Sequence, residues 1–133
     1  MITADDLQAV ELLADLEPAG LEWLAEQLEE LRLEPGDLLH EPGSPAEWLY
    51  ITLEGSLQGT VRKDGRDVGT FVYEPGDVGG MLPHSRMTVF PALTKAVEPS
   101  RVAQLHVDQF PEMLERLPGL EIRLAHLMAD RIR

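Results

Sequence analysis

Pro75-Gly76-Asp77-Val78-Gly79-Gly80-Met81-Leu82-Pro83-His84-Ser85-Arg86-Met87 breaks up a chain that elsewhere reads as short strands. Its first three residues repeat an earlier triplet, Pro35-Gly36-Asp37. Proline presets φ at one turn position and glycine supplies positive φ at the next, so each triplet is a turn. Between the two lies Trp48-Leu49-Tyr50-Ile51-Thr52-Leu53, rich in the aromatic and β-branched residues that favour strands. Leu49, Ile51 and Leu53 face one way, and Trp48, Tyr50 and Thr52 the other.

The pattern repeats on both sides. Leu31 and Leu33 alternate with Arg32 and Glu34, and Leu38-Leu39-His40 is a short strand before the turn Glu41-Pro42-Gly43-Ser44-Pro45. Strands at 57–62 and 68–73 flank the hairpin signal Lys63-Asp64-Gly65-Arg66. Two more are expected at 93–97 and 101–107. Many short strands separated by Gly/Pro turns predict a sandwich or jelly roll.

Helices are expected at both ends. Asp5 or Asp6 caps a first helix carrying Leu7, Val10, Leu12 and Leu13. Pro18 opens a second, with Leu21, Leu24, Ala25 and Leu28 on one stripe and Glu22, Glu26, Glu29 and Glu30 opposite. Asp108 caps a helix over 109–116, and Pro118 opens the last one. Leu117, Leu120, Leu124 and Leu127 recur there at three-and-four spacing. Two readings of that stripe stay open: packing on the roll, or a seam for a homodimer. Asp130-Arg131-Ile132-Arg133 carries no stop signal, so the helix is expected to continue into a longer protein.

Composition narrows the function. With 133 residues, 44% of them hydrophobic, one packed domain is expected. The net charge of -13 repels phosphate backbones and anionic lipids, so no direct nucleic-acid or membrane partner is expected. The chain has no cysteine, which leaves the cytoplasm as the default compartment. No apolar run approaches the roughly 20 residues of a membrane helix.

The opening segment carries the candidate site. Glycines let a ligand approach the backbone, and successive free N–H groups form an anion nest. The candidate ligand-binding residues are Gly79, Gly80, Met81, Leu82, Ser85 and Arg86, with Ser85 giving one hydrogen bond and Arg86 pairing with an anion. The alternative is that this turn binds nothing and the domain is structural or dimerising. An enzyme of the cupin type is a third reading, but His40, His84, His106 and His126 are never one or two residues apart. No Gly-x-Ser-x-Gly elbow or Walker loop is present, so catalysis and a resident cofactor are not expected.

In order and spacing, the chain resembles the cyclic nucleotide-binding domain superfamily of catabolite-activator-type regulators. Leu33-Glu34-Pro35-Gly36-Asp37-Leu38-Leu39, Gly43, Leu49-Tyr50-Ile51-Thr52-Leu53-Glu54-Gly55, Pro75-Gly76-Asp77-Val78-Gly79 and Ala96-Val97-Glu98-Pro99-Ser100-Arg101-Val102 carry the resemblance. It implies a mainly β domain, an eight-stranded double-stranded β-helix (jelly roll) with flanking helices. The implied divisions are N-terminal helices over 1–30, the roll over 31–107 and closing helices over 108–133. It also implies a phosphate cassette with a glutamate for the ribose and an arginine for the cyclic phosphate. Those two positions hold Gly80 and Phe90. Two lost charge-assisted bonds, roughly 1.5–3 kcal/mol each, weaken binding by roughly 10²–10⁴-fold. Canonical cyclic nucleotide binding is therefore not expected, although a small anionic ligand at Arg86 is. Met81-Leu82-Pro83-His84-Ser85-Arg86-Met87 with Phe90-Pro91 is similar to the N-terminal domains of some bacterial sensor histidine kinases. That narrower match implies a regulatory domain of a two-component signalling protein, with the last helix leading to a C-terminal effector.

Overall fold

Thr3 starts the chain's first ordered turn in the computed structural model, which describes residues 1–131. Its hydroxyl accepts from the Asp6 N–H at 3.2 Å, and the Asp6 carboxylate accepts from the Thr3 N–H at 2.9 Å. This capping box, rather than an aspartate cap, opens helix α1 (Ala4–Gln8). Leu12 and Leu13 follow in turns beyond the helix. Pro18 opens α2 (Pro18–Gln27) as expected, and Leu21, Leu24, Ala25 and Leu28 are all buried.

Eight strands follow: β1 (Glu29–Leu33), β2 (Leu38–His40), β3 (Trp48–Glu54), β4 (Leu57–Lys63), β5 (Arg66–Tyr73), β6 (Val78–Gly80), β7 (Ala92–Ala96) and β8 (Ser100–His106). They form two four-stranded antiparallel sheets, ordered β1-β8-β3-β6 and β2-β7-β4-β5. The chain is thus mainly β, a jelly roll with helices at its ends. β1 begins two residues earlier than its alternation predicts, because Glu29 pairs with Gln104 and accepts from its side-chain amide at 2.8 Å. Asp64 and Gly65 take positive φ in the β4–β5 hairpin, as a two-residue turn requires.

After β8, residues Val107–Gln109 form a 3-10 turn capped by His106, not a helix capped by Asp108. Helix α3 is Phe110–Arg116 and α4 is Leu120–Arg131. The last helix starts after Gly119, whose φ of +93° breaks the path, and not at Pro118. Ile132 and Arg133 of the expected helix end lie outside the described residues.

Two apolar clusters meet across β3. Leu49, Ile51, Val78 and Leu105 pack with Leu7, Leu21, Leu24, Met113, Leu120 and Leu124 of the helices. Tyr50, Phe90, Ala96 and Val102 fill the roll interior. Leu117, Leu120 and Leu124 are at most 2% exposed and pack within their own chain, while Leu127, the fourth residue of the stripe, is half-buried.

Arg101, on β8, ties the N-terminus to the roll. Its guanidinium donates to Asp6 at 2.9 and 3.0 Å, to the Met1 carbonyl at 2.8 Å, and to Glu30. Hydrogen bonding to Arg101 pulls the Asp6 and Glu30 carboxyls down to about 2, from ordinary values of 3.8 and 4.5. Carboxylates depressed in this way stabilise the fold fully above about pH 4.5, and that stability is lost as pH falls toward 2. Replacing Arg101 leaves Asp6 without its guanidinium partner, while Glu30 keeps the N-terminal ammonium and Arg32. Arg101→Met is expected to cost about 2–4 kcal/mol at neutral pH and to flatten the acid loss of stability, measured by urea unfolding across pH.

Candidate functional site

The segment after the second Pro-Gly-Asp turn lies against β3. Val78, Gly79 and Gly80 pair with Ile51, Tyr50 and Leu49, so the two glycines are strand residues and not part of an open loop. The Met81 N–H donates to the Trp48 carbonyl at 2.8 Å, Ser85 N–H to the Leu82 carbonyl at 3.1 Å, and Met87 N–H to the Ser85 hydroxyl at 3.2 Å. These three N–H groups are engaged within the chain.

Gly80 has φ +78°. A Cβ there stands 2.5 Å from the Trp48 carbonyl oxygen and 2.6 Å from the Tyr50 ring. Neither the backbone angle nor the space admits a side chain. The glycine where the resemblance implies a glutamate is therefore a requirement of the β3–β6 contact.

Phe90 is pinned by its backbone. Its N–H donates to the Ser44 carbonyl and its carbonyl accepts from Gly43 N–H, both at 2.8 Å. The ring is 3% exposed and stacks on His40, with centroids 4.1 Å apart and planes at 16°. Tyr50 lies 6.0 Å away, and burial pushes its phenol up to about 12. An aromatic cluster thus fills the place where the resemblance implies an arginine.

Beside this cluster opens a cavity of about 1250 Å³. Phe71, Val72 and Tyr73 of β5 and the 76–78 turn form one wall. His40, Gly80, Phe90, Pro91 and Ala92 line the roll side. The far wall comes from the α1–α2 connection, with Glu11, Leu12, Ala14 and Asp15, and from Arg123, Leu127 and Asp130 of α4. Arg123 donates to the Leu12 carbonyl at 2.9 Å and to Asp15 at 2.6 Å, and this bond holds the Asp15 carboxyl below its ordinary range.

Of the six candidate residues, only Gly80 lines the cavity. Gly79 is buried in β6, Leu82 is 3% exposed within the helix-side cluster, and Met81 packs against both clusters. Ser85 is half-buried and Arg86 exposed, and neither lines the cavity. His84 reaches Glu121 at the start of α4, with 2.6 Å between Nε2 and Oε2. Sequence reasoning missed Arg123 and Asp15, which are 108 residues apart in the chain. The alternation of Phe71 and Tyr73 was the one signal for the β5 wall. Among the described residues, no three His, Asp or Glu side chains converge as a metal site would require.

A family model described as "Cyclic nucleotide-binding domain" matches residues 30–117. The acetyltransferase Pat of Mycolicibacterium smegmatis is 32% identical over 132 residues, covering 98% of this chain and 39% of that protein. Patatin-like phospholipase domain-containing protein 7 of Rattus norvegicus is 27% identical over 106 residues, 79% of this chain and 8% of that protein. Among solved structures, a cAMP-binding acyltransferase from Mycobacterium smegmatis superposes with TM-score 0.76 at 32% identity, over 93% of this chain and 39% of that one. The regulatory subunit of a cAMP-independent protein kinase A from Trypanosoma cruzi, bound to guanosine, gives 0.79 at 26% identity, over 96% and 44%. The chain therefore spans less than half the length of each of these relatives.

The two glycine environments separate by mutation. Gly80→Ala is expected to cost about 1–3 kcal/mol through strain and overpacking. Gly69→Ala, on β5 with open space around it, is expected to stay within about 0.5 kcal/mol of wild type in the same thermal unfolding assay.

Proposed function

The chain belongs to the cyclic nucleotide-binding domain family, and from that premise we propose that it is the regulatory ligand-binding domain of a bacterial signalling protein whose ligand carries no cyclic phosphate. The observation that carries this reading is the buried stack of Phe90 on His40 beside a cavity of about 1250 Å³. A cavity is present, while the position where the resemblance implies an arginine is occupied by an apolar ring. The guanosine in the trypanosome relative is a phosphate-free occupant within the same fold, which supports the idea.

The output element is α4. It contributes Arg123 and Leu127 to the cavity wall and meets the cassette segment through His84 and Glu121. A ligand that contacts both the roll and α4 shifts the position of that helix, provided it binds one position more tightly than the other. The domain itself acts on no substrate in this reading. The effector lies C-terminal, as a histidine kinase in the subset that residues 81–91 resemble. The acetyltransferase and phospholipase relatives support fusion of this fold to other effectors as well.

Titration calorimetry of the chain with cyclic AMP, cyclic GMP, adenosine and guanosine tests the proposal. Neither cyclic nucleotide is expected to bind more tightly than about 1 mM, because two charge-assisted bonds worth roughly 10²–10⁴-fold are missing. Micromolar binding of either one overturns the reading.

A further inference from the structure

Resting on the reading of the cavity as the ligand site, we propose that His40 selects its ligand: Nε2 of His40 accepts a hydrogen bond from a neutral N–H or O–H at the edge of a planar aromatic ring.

The bond to β7 fixes which nitrogen is available. His40 Nδ1 lies 3.1 Å from the Ala92 carbonyl oxygen. A carbonyl oxygen only accepts, so Nδ1 carries the proton. Burial lowers the basicity of the ring, which keeps the imidazole neutral near neutral pH and leaves Nε2 its lone pair. Among the described residues the imidazole is hydrogen-bonded to Ala92, and Nε2 is left without a partner.

Packing fixes which part of the ring a ligand meets. One face of the imidazole is stacked on Phe90, and the Tyr50 ring stands 5.8 Å away, tilted by 34°. Nδ1 is turned to β7. The edge that bears Nε2 is what remains of this half-buried side chain to line the cavity.

The surrounding walls suit a flat ring. Leu12, Phe71, Tyr73, Met87 and Leu127 present apolar and aromatic surface around a space large enough for a drug-sized molecule. An arginine at position 90 would offer donors to an anion. Phe90 offers none, and the imidazole stacked on it offers an acceptor, so the hydrogen-bond polarity at this spot is inverted. A ring without a donor leaves the lone pair against apolar surface, and the site discriminates against it.

Indole and benzofuran share shape and neutrality and differ in the ring N–H. Benzofuran is the more apolar, so burial alone favours it. Amide shift mapping of the chain is expected to show shifts at Phe71, Phe90 and Leu127 with both, and about threefold to tenfold tighter binding of indole. In His40→Phe, which keeps a ring to stack on Phe90, the preference for indole is expected to vanish, with thermal unfolding as the check that the variant is folded. A second readout needs no substitution. The nitrogen signal of His40 Nε2 in the wild-type chain is expected to move to lower frequency with indole and to stay in place with benzofuran. Benzofuran binding as tightly as indole, with shifts at those same residues, overturns the donor class and leaves the cavity reading standing. A preference for indole that survives in folded His40→Phe, or an Nε2 signal unmoved by bound indole, overturns the role of His40. Absence of shifts with indole up to about 10 mM overturns both the inference and the cavity reading.

Discussion

Strand β3 is apolar on both faces, and each face needs a cover. Leu49 and Ile51 take theirs from the helices, while Tyr50 takes its cover from the roll interior. Each large apolar side chain buried this way contributes roughly 1.5–3 kcal/mol, so neither face is dispensable. The demand fixes the neighbours. β8 pairs along one edge of β3 and β6 along the other. β6 lies so close at Gly80 that no Cβ fits. The position where the resemblance implies a glutamate is thus set by the packing of β3, before any ligand is considered.

The glycine at position 80 and the ring at position 90 fit one another physically. A guanidinium half-withdrawn from water needs carboxylates around it. Arg101 shows what this chain provides where it keeps one: Asp6, Glu30, Glu54 and a backbone carbonyl, all within 3.5 Å. The surroundings of residue 90 are Ala46, Tyr50 and the ring of His40. An arginine among these has no counter-charge, and the left-handed backbone at Gly80 bars one from being supplied there. Phenylalanine satisfies the same space with contact energy alone.

The roll was legible because its signals are local. Pro35-Gly36-Asp37 and Pro75-Gly76-Asp77 mark turns, and the two-residue alternation through 48–53 marks the central strand. The leucine stripe of α4 was visible too, but periodicity states only that a face is buried. Whether the cover is the same chain or another is a tertiary fact. Boundaries failed where a single residue overrode the pattern, as Gly119 did by delaying α4 past Pro118. The cavity failed for a different reason. Its walls come from five separated stretches, and Arg123 meets Asp15 only after the whole roll has closed between them. Arg86 drew attention because it is near the glycines in sequence, yet it faces solvent.

The same geometry explains how α4 can be both anchored and responsive. Leu120 and Leu124 are at most 2% exposed, so the first two turns are held by the helix-side core. Leu127 is only half-buried, and beyond it Asp130 edges the cavity. The polar ties are weaker than the core. His84–Glu121 joins two exposed side chains and Arg123–Asp15 a half-buried guanidinium to an exposed carboxylate, and surface ion pairs of this kind are weak. Burial therefore decreases along the described part of the helix toward its C-terminal side. A ligand need not extract leucines from the core to act. In the proposed reading it has only to bind against Leu127 and redistribute the weak ties at the rim.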